Sequence, residues 1–234
     1  MLIACWSPKG GSGTTVVTCA LAVILAARSS PEGFRGAGRP GVLLADLAGD
    51  VPAALGIPAP TGPGLSDWLA AGADVPVDGL ARLEVEAAAG LRLLPWAAAG
   101  APSGPPGEAP GGGDRADVLA TVLGADSRAV VADCGSAASG AGLALAAGAH
   151  LSLMVLRPCY LALRRALAAP VRPSGVILVS EPGRAVTRHD VEDVLGVPVR
   201  AVVEHDAAVA RAVDAGLLAT RVPRCLERAL RAAA

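Results

Sequence analysis

Aromatic residues and lysine are scarce in this chain. Of its 234 residues, 53% are hydrophobic but only 2% are aromatic, so Ala, Val and Leu must build most of any core. Basic charge is carried almost entirely by Arg, and Lys9 is the only lysine. A composition that uses arginine everywhere else has kept a lysine at this one position. Lys9 is therefore the first candidate for a functional residue.

The sequence also lacks a charge imbalance and paired cysteines. The formal net charge is −1 at pH 7, which excludes a global field that would recruit nucleic acid or an anionic membrane. The five cysteines include no C-x-x-C pair, which argues against a zinc site or a disulfide framework and is typical of a reducing compartment. There is no secretory signal pattern, and no charge-free apolar run reaches the ~18 residues of a membrane span. We therefore expect a cytoplasmic protein.

A glycine-rich segment stands between a predicted strand at 2–6 and a predicted helix at 14–27. It reads Ser7-Pro8-Lys9-Gly10-Gly11-Ser12-Gly13-Thr14-Thr15. Strand, glycine-rich turn and helix in this order are typical of a phosphate-binding loop. The glycines allow backbone N–H groups to point inward, and the helix N-terminus adds partial positive charge. The alternative interpretation is an ordinary tight turn.

Two predicted apolar strands, at 42–46 and 129–133, end in an aspartate. In open α/β sheets, ligands bind at the carboxyl ends of the strands. A magnesium–nucleotide site needs backbone donors for phosphate, a hydroxyl for the metal, and carboxylates around metal and water. Thr15 stands at the hydroxyl position, Asp133 resembles a Walker-B-type acid, and Asp46 ends the neighbouring strand. Together these residues favour a nucleotide site over a tight turn.

Apolar strands alternate with helical segments along the chain. This pattern predicts an α/β fold, with a doubly wound, mostly parallel sheet and helices on both faces. Further strands are predicted at 83–86, 91–95, 151–156, 176–180 and 199–203, and further helices at 52–55, 65–71, 114–123, 143–147, 160–168, 187–195, 206–215 and 223–232. We expect one domain over residues 1–234, with a Pro/Gly-rich surface loop at about 99–113.

The loop and several later segments resemble the ParA/MinD superfamily of P-loop proteins. Lys9-Gly10-Gly11-Ser12-Gly13-Thr14-Thr15 is similar to the superfamily's deviant Walker A loop, K-G-G-x-G-K-T. Segments 43–51 and 64–69 resemble the switch I region of the CpaE/TadZ branch, which works in pilus assembly and polar positioning. Segment 130–135 resembles the second switch, and segment 206–216 resembles the late D-x-x-V-x-x-A-x-x-x-G pattern near the base.

This resemblance implies a site for ATP and Mg²⁺. The residues that would bind the nucleotide are Gly10, Gly11, Ser12, Gly13, Thr14 and Thr15. Thr15 and Asp133 would hold the Mg²⁺, with Asp133 acting indirectly. In the superfamily the early lysine reaches across a dimer to the partner's nucleotide, so Lys9 would stabilise charge in trans. Asp46 would have a catalytic role.

Three positions depart from the superfamily's pattern. Thr14 replaces the later lysine of the loop, Ala48 replaces the second acid of switch I, and Ser180 stands where a base-reading Asn often ends a strand. Asp50 is a nearby acid at a different position. Loss of the lysine removes a charge from the β- and γ-phosphates, and loss of the acid removes a group that orients water. Because charge stabilisation is the main part of phosphoryl-transfer catalysis, we expect hydrolysis to be weak or absent and binding to survive.

These features favour a divergent ParA/MinD-like nucleotide-binding protein that acts as a dimeric spatial organiser in pilus assembly, septum-site determination or chromosome positioning. Its partners would be a second copy and proteins of such a system, in the cytoplasm or peripherally at the membrane or cell pole. Two alternatives stay open: a pseudo-ATPase scaffold that binds no nucleotide, and an active chromosome or plasmid partitioning ATPase. A ligase or reductase of the same fold lacks a substrate motif and a cluster-binding cysteine pair.

The histidines and Cys134 favour structural roles. His150, His189 and His205 are far apart in sequence and lack metal-ligand spacing. Cys134 follows Asp133, but no neighbouring residue supplies the base or the electropositive setting that a nucleophilic thiol needs. We expect the histidines to be ordinary helix, strand or turn residues, and Cys134 to be a small core or switch residue.

The C-terminal segment combines arginines with two leucines. Its residues are Arg221, Arg224, Leu226, Arg228, Leu230 and Arg231. A membrane-binding helix needs large apolar residues opposite a basic face, and here the apolar side is mostly Ala. The pattern favours a last helix packed on the domain, with a membrane surface or non-specific DNA as weaker candidate partners.

Overall fold

Strands and helices alternate in the computed structural model, which describes residues 1–29, 41–71, 76–96, 113–136, 140–231 and 233. The strands are β1 Leu2–Ser7, β2 Val42–Asp46, β3 Val85–Ala88, β4 Leu91–Leu94, β5 Ala129–Ser136, β6 Leu151–Leu156, β7 Gly175–Ser180 and β8 Val199–Glu204. The helices are α1 Thr14–Ser29, α2 Val51–Leu55, α3 Leu65–Ala70, α4 Gly113–Ala125, α5 Gly140–Gly148, α6 Tyr160–Leu167, α7 Arg188–Leu195, α8 Ala207–Asp214 and α9 Arg224–Leu230. A 3₁₀ helix spans Val77–Leu83.

The strands form one sheet in the order β3-β4-β2-β5-β1-β6-β7-β8. Neighbouring strands are parallel except for β3 and β4, which pair antiparallel at one edge. The chain first winds from β1 toward β2 and β4, then returns through β5 and continues past β1 to β6, β7 and β8. The predicted doubly wound, mostly parallel α/β fold is therefore confirmed.

Both faces of the sheet are covered, as the continuous apolar runs predict. Along β1, Leu2, Ala4 and Trp6 contribute to one core cluster, and Ile3 and Cys5 contribute to the other. Helices α3, α4, α5, α6 and α7 supply the first cluster, and α1, α2 and α9 supply the second. Buried strands of this kind are typical of parallel sheets, because crossover helices cover both sides. Among the described residues, no helix combines the length and apolar character needed to cross a bilayer.

The parallel register brings three carboxyl ends to one level of the sheet. Asp133 in β5 is the register partner of Asp46 in β2 and of Cys5 in β1. The glycine-rich segment leaves β1 two residues after Cys5, so it lies at the same edge as both aspartates. Two acids from distant parts of the sequence thus lie beside the loop.

Helix α7 begins with a capping box. Thr187 Oγ1 accepts a hydrogen bond from Asp190 N at 3.2 Å, and Asp190 Oδ2 accepts one from Thr187 N at 2.8 Å. This reciprocal pair satisfies two backbone donors that a helix N-terminus leaves free. The helix predicted at 187–195 is present, with Thr187 as its N-cap.

The edge of the sheet differs from the prediction. The strand predicted at 83–86 begins at Val85 instead, because the 3₁₀ helix extends to Leu83. Glu84 stands between the two elements and pairs with Arg128 at 2.7 Å, which anchors the start of β3. The predicted Pro/Gly-rich loop at about 99–113 lies outside the described residues except at Gly113, where α4 begins. The single-domain interpretation stays a prediction.

Gly56→Ala should destabilise the fold more than Gly183→Ala. Both glycines have a left-handed backbone, with φ of 74° and 78°, and a side chain there costs ~1 kcal/mol. A Cβ on Gly56 would also lie 2.2 Å from Gly216 Cα, whereas a Cβ on Gly183 would meet nothing within 4 Å. The clash should add about 2 kcal/mol. Urea unfolding of both variants measures the difference, and equal losses of unfolding free energy would contradict the close contact.

Candidate functional site

The glycine-rich segment forms an open cradle between β1 and α1. Gly11 and Gly13 have φ of 76° and 85°, a left-handed conformation that glycine adopts without strain. A Cβ built on Gly10, Gly11 or Gly13 would meet no atom within 4 Å, so the space above the loop is free. Helix α1 follows directly, with Val17 N donating to Gly13 O at 3.0 Å. The backbone can therefore approach an anion closely at a helix N-terminus.

Two serines fix the conformation of the loop through hydrogen bonds. Ser7 Oγ donates to Lys9 O at 3.0 Å and lies 3.3 Å from Gly135 O, at the end of β5. Ser12 Oγ donates to Lys9 O at 2.8 Å. Both serines are buried. The loop is thus tied to its own strand and to the neighbouring strand that carries Asp133.

A cavity of about 460 Å³ opens above the loop. The six residues predicted to bind a nucleotide all line it: Gly10, Gly11, Ser12, Gly13, Thr14 and Thr15. Its other walls come from the turn after β2, the end of β5, the start of α5 and Trp96. This volume lies in the range of small-molecule sites. Asp50 is the only charged side chain among the described residues that line the cavity.

Asp133 lies beneath this cavity with no exposed surface. Burial raises its pKa to about 6, and the negative charge of Asp50 acts in the same direction. Hydrogen bonds from the Thr15 hydroxyl and from Gly135 N, the latter at 3.1 Å to Oδ1, oppose the rise. Asp133 Oδ2 has no hydrogen-bond partner among the described residues. A buried carboxylate oxygen without a donor is a group that a cation or a bound water would satisfy.

Asp46 points into its own turn. Its Oδ1 accepts hydrogen bonds from Ala48 N at 3.0 Å and Gly49 N at 2.7 Å, and its Oδ2 accepts one from Val51 N at 3.3 Å. Burial, followed by the charge of Asp133, raises the pKa of Asp46 to about 7 although these N–H donors lower it. Asp46 therefore shapes the turn from 47 to 50, and the catalytic role assigned to it from the sequence stays a prediction.

Thr14 lines the cavity, whereas Lys9 does not. Lys9 is half-buried, and the only hydrogen bond of its ammonium group among the described residues is a long contact of 3.5 Å from Nζ to Gly10 O. Thr14, at the position where the superfamily has a lysine, is 7% exposed and its carbonyl accepts the hydroxyl of Thr18 at 2.8 Å. No described basic side chain therefore lines the cavity above the loop.

The histidines and Cys134 occupy separate structural positions. His150 Nδ1 accepts a hydrogen bond from Leu2 N at 3.1 Å. His189 is an exposed residue of α7. His205 follows β8, and its backbone N–H donates to Ser180 O at 2.7 Å. Burial raises the pKa of Cys134 well above its usual value, so its thiol is a weak nucleophile. The described residues contain no group of three or more His, Cys, Asp or Glu that could hold a metal ion alone.

The C-terminal helix packs on the domain, as predicted. Leu226 and Leu230 are buried in the second core cluster, and Arg228 faces solvent. Arg221 and Arg224 line a second cavity of about 590 Å³ between α8 and α9, together with Arg211. The apolar side of α9 is therefore already used inside the protein.

The sequence did not indicate several cavity residues. Trp96 follows β4, and Ala141 and Gly142 lie on α5. Their positions depend on which strands become neighbours, and no local motif reports this. For Trp96 one signal existed, since it follows a predicted strand at the carboxyl edge where ligands bind.

The fold has clear counterparts among solved structures. No protein-family model and no curated protein matches the chain. The cell division ATPase MinD of Pyrococcus furiosus superposes with a TM-score of 0.72 at 20% identity, over 100% of this chain and 99% of that one. The septum site-determining protein MinD of Pyrococcus horikoshii, complexed with Mg-ADP, gives a TM-score of 0.72 at 19% identity, over 99% and 93%. A ParA family ATPase from Chlorobium tepidum gives 0.71 at 16% identity, over 98% and 95%.

This chain has the ParA/MinD fold. The superposition spans nearly the whole of each chain, so the resemblance that began at the glycine-rich loop extends to the complete architecture. At sequence identities of 16%, 19% and 20%, the structural similarity establishes only the fold. The position within the CpaE/TadZ branch stays a prediction.

Asp46→Asn should make stability less dependent on pH. The pKa of Asp46 is about 7 in the folded protein against an ordinary value of 3.8. The protonated carboxyl therefore stabilises the fold fully below about pH 4, and this contribution is lost as pH rises through about 7. In the wild type the free energy of unfolding should fall by about 1–3 kcal/mol between about pH 5 and about pH 8. Asn has no proton to lose and should remove most of this slope.

Urea unfolding at a series of pH values measures the slope for both proteins. Asp193→Asn, at a largely exposed carboxylate on α7, is the control and should keep the wild-type slope. Wild-type stability that rises over this pH range, or an Asp46→Asn slope equal to that of the wild type, would show that Asp46 is ionised in the folded protein.

Proposed function

We propose that this protein binds Mg-ATP in the cavity above residues 10–15 and acts as a dimeric spatial organiser with weak or no ATP hydrolysis. All six predicted loop residues line one open cavity, and this observation carries the proposal. The fold supports it, because the similar MinD of Pyrococcus horikoshii is complexed with Mg-ADP.

The residues around Thr15 and Asp133 fit a magnesium ion. Mg²⁺ prefers oxygen ligands and keeps several waters, so it is held by one or two protein groups together with substrate phosphates. Thr15 supplies a hydroxyl oxygen, and Asp133 supplies a buried carboxylate oxygen without a donor. The ion would neutralise phosphate charge when bound. The Thr15 hydroxyl can donate its proton to Asp133 and still offer an oxygen lone pair to the ion, so Asp133 would orient this ligand.

Weak hydrolysis follows from the charge of the cavity. No described basic side chain lines it, and Asp50 adds a negative charge. Backbone N–H groups and hydroxyls can still bind phosphates, but these neutral donors stabilise a charged transition state less than a lysine does. Asp46, whose oxygens accept three backbone N–H groups, is poorly placed to orient water. Binding is therefore favoured over cleavage.

Dimerisation would supply the missing positive charge. Lys9 lies outside its own cavity with its ammonium group nearly free of partners. From that position it can reach a phosphate held by a second copy of the chain, as the resemblance implies. The nucleotide would then lie between two subunits, and each Lys9 would stabilise the partner's ligand.

The cellular role remains part of the proposal. A nucleotide-dependent dimer would recruit protein partners of a pilus assembly, septum-site or chromosome-positioning system, at the membrane or cell pole. Membrane and DNA binding have weaker support, because the leucines of α9 are buried in the core. A scaffold that binds no nucleotide is the second candidate, and the absence of a described basic side chain in the cavity favours it.

Lys9→Ala should abolish ATP-dependent dimerisation with little effect on binding to the monomer. Because Lys9 does not line its own cavity, the affinity of the monomer for a non-hydrolysable ATP analogue should change by less than about twofold. Equilibrium binding at low protein concentration and sedimentation with and without the analogue measure the two effects. Arg228→Ala, a change at an exposed residue of α9, is the control.

Two outcomes would contradict this proposal. A wild-type protein that binds no ATP analogue would favour the scaffold. A Lys9→Ala variant that dimerises as well as the wild type would show that Lys9 has no role in trans.

Thr14→Lys should strengthen nucleotide binding by about tenfold or more. The new ammonium group would stand at the base of the cradle, where Thr14 already lines the cavity. Thr14→Gln, which introduces a longer polar side chain without a charge, is the matched control and should not give this gain in affinity. Isothermal titration gives the affinities, and a phosphate-release assay shows whether turnover appears. Unchanged affinity in a folded Thr14→Lys protein would mean that no phosphate lies above residue 14.

A further inference from the structure

Trp96 is a buried donor in the wall of the cavity. Its side chain lines the space above the loop, and the residue is only 7% exposed. Its indole nitrogen Nε1 has no hydrogen-bond acceptor among the described residues. A buried N–H without an acceptor costs free energy, and such groups are uncommon in folded proteins. This donor therefore lacks a partner at the place where a ligand is expected.

The backbone holds Trp96 firmly in this position. Pro95 O and Trp96 O accept hydrogen bonds from Leu65 N at 2.8 Å and Ser66 N at 2.7 Å, at the start of α3. A Cβ on Gly64 would lie 2.5 Å from Trp96 O, so the two segments are in close contact. The ring is thus placed by a rigid junction between β4 and α3.

The nitrogen-bearing edge of the ring faces the turn that Asp46 shapes. A Cβ on Gly49 would lie 3.7 Å from Trp96 Cδ1, which is bonded to Nε1. Leu47, Ala48 and Asp50 of this turn also line the cavity. Trp96 therefore stands on the wall that β2 and β4 form, across the cavity from the glycine-rich loop.

The other two tryptophans provide an internal comparison. Trp6 Nε1 donates to Ser152 Oγ at 2.9 Å. Trp68 Nε1 also lacks an acceptor among the described residues, but Trp68 does not line the cavity and Arg115 lies 3.8 Å above its ring. Trp96 is thus the one tryptophan of the chain that combines a place in the cavity wall with an N–H that has no acceptor among the described residues.

We propose that Trp96 Nε1 donates a hydrogen bond to the terminal phosphate of a nucleoside triphosphate in this cavity, and so determines specificity for triphosphate over diphosphate. The proposal rests on the proposed function. An indole N–H only donates, which suits a phosphate oxygen that only accepts. Because Asp50 is the only charged residue on the described wall, recognition there depends on neutral donors. Segment 206–216, which the resemblance assigns to the surroundings of the base, follows β8 at one end of the sheet, whereas Trp96 follows β4 toward the other end. The terminal phosphate is therefore expected on the side of Trp96.

Indole NMR signals test the contact in the wild-type protein. With three tryptophans, a ¹⁵N-labelled sample should give three indole N–H peaks, and Trp6→Phe and Trp68→Phe assign them by elimination. Addition of a magnesium complex of a non-hydrolysable ATP analogue should move the Trp96 peak to higher proton frequency. The Trp6 and Trp68 peaks should stay in place, and Mg-ADP should move the Trp96 peak less.

Binding measurements test the specificity. Trp96→Phe keeps an aromatic ring but removes the N–H, and its affinity for the ATP analogue should fall by about tenfold while its affinity for ADP changes by less than about twofold. Trp68→Phe removes a buried N–H outside the cavity and should bind both nucleotides like the wild type.

The outcomes separate this inference from the proposed function. A wild type that binds neither nucleotide overturns both. A wild type that binds the ATP analogue with an unmoved Trp96 peak overturns the role of Trp96 alone. Equal losses for the ATP analogue and ADP in Trp96→Phe overturn the specificity. The NMR result decides the contact even when Trp96→Phe does not fold.

Discussion

The burial of a carboxylate in the middle of the sheet is the constraint on which the candidate site depends. Asp133 is fully buried, and taking a charge out of water is costly unless hydrogen bonds or a cation compensate. Its two donors, the Thr15 hydroxyl and Gly135 N, belong to α1 and to the end of β5. Asp133 thus links the start of α1 to the end of β5. Its other oxygen, Oδ2, has no donor among the described residues.

Most of the fold could be predicted because its strands are buried on both faces. Continuous apolar runs mark β1, β2, β5, β6 and β7, and such runs are typical of parallel sheets. The 3₁₀ helix at Val77–Leu83 could not be predicted in this way. It has no clear period, and it is held by contacts of Leu80 with the core cluster beside α3. Propensity carries little information where tertiary packing decides.

In the candidate site, too, features set by local sequence could be predicted and features set by tertiary contacts could not. The cradle from Gly10 to Thr15 is local in sequence, so its glycines and hydroxyls predict it directly. The environment of Asp46 could not be predicted, because only the folded turn shows that its oxygens accept Ala48, Gly49 and Val51 N–H groups. Trp96 reaches the cavity because β4 pairs with β2, a neighbour that lies about fifty positions earlier in the sequence. The order of strands in a sheet depends on contacts between residues far apart in sequence, so no local motif reports it.

The contact between Gly56 and Gly216 joins the cavity to a remote surface. Helix α2 begins beside Asp50 and ends at Gly56, where any added Cβ would overlap Gly216 directly after α8. Ala219 N also lies 3.3 Å from Leu55 O, so α2 is tied to the segment that follows α8 as well. Helix α8 has no fully buried residue. A shift of α2 toward Gly216 would therefore displace the segment that follows α8, which borders the cleft lined by Arg211, Arg221 and Arg224. The short helix α2 thus links the turn at 47–50, which lines the cavity, to the outer face of the molecule.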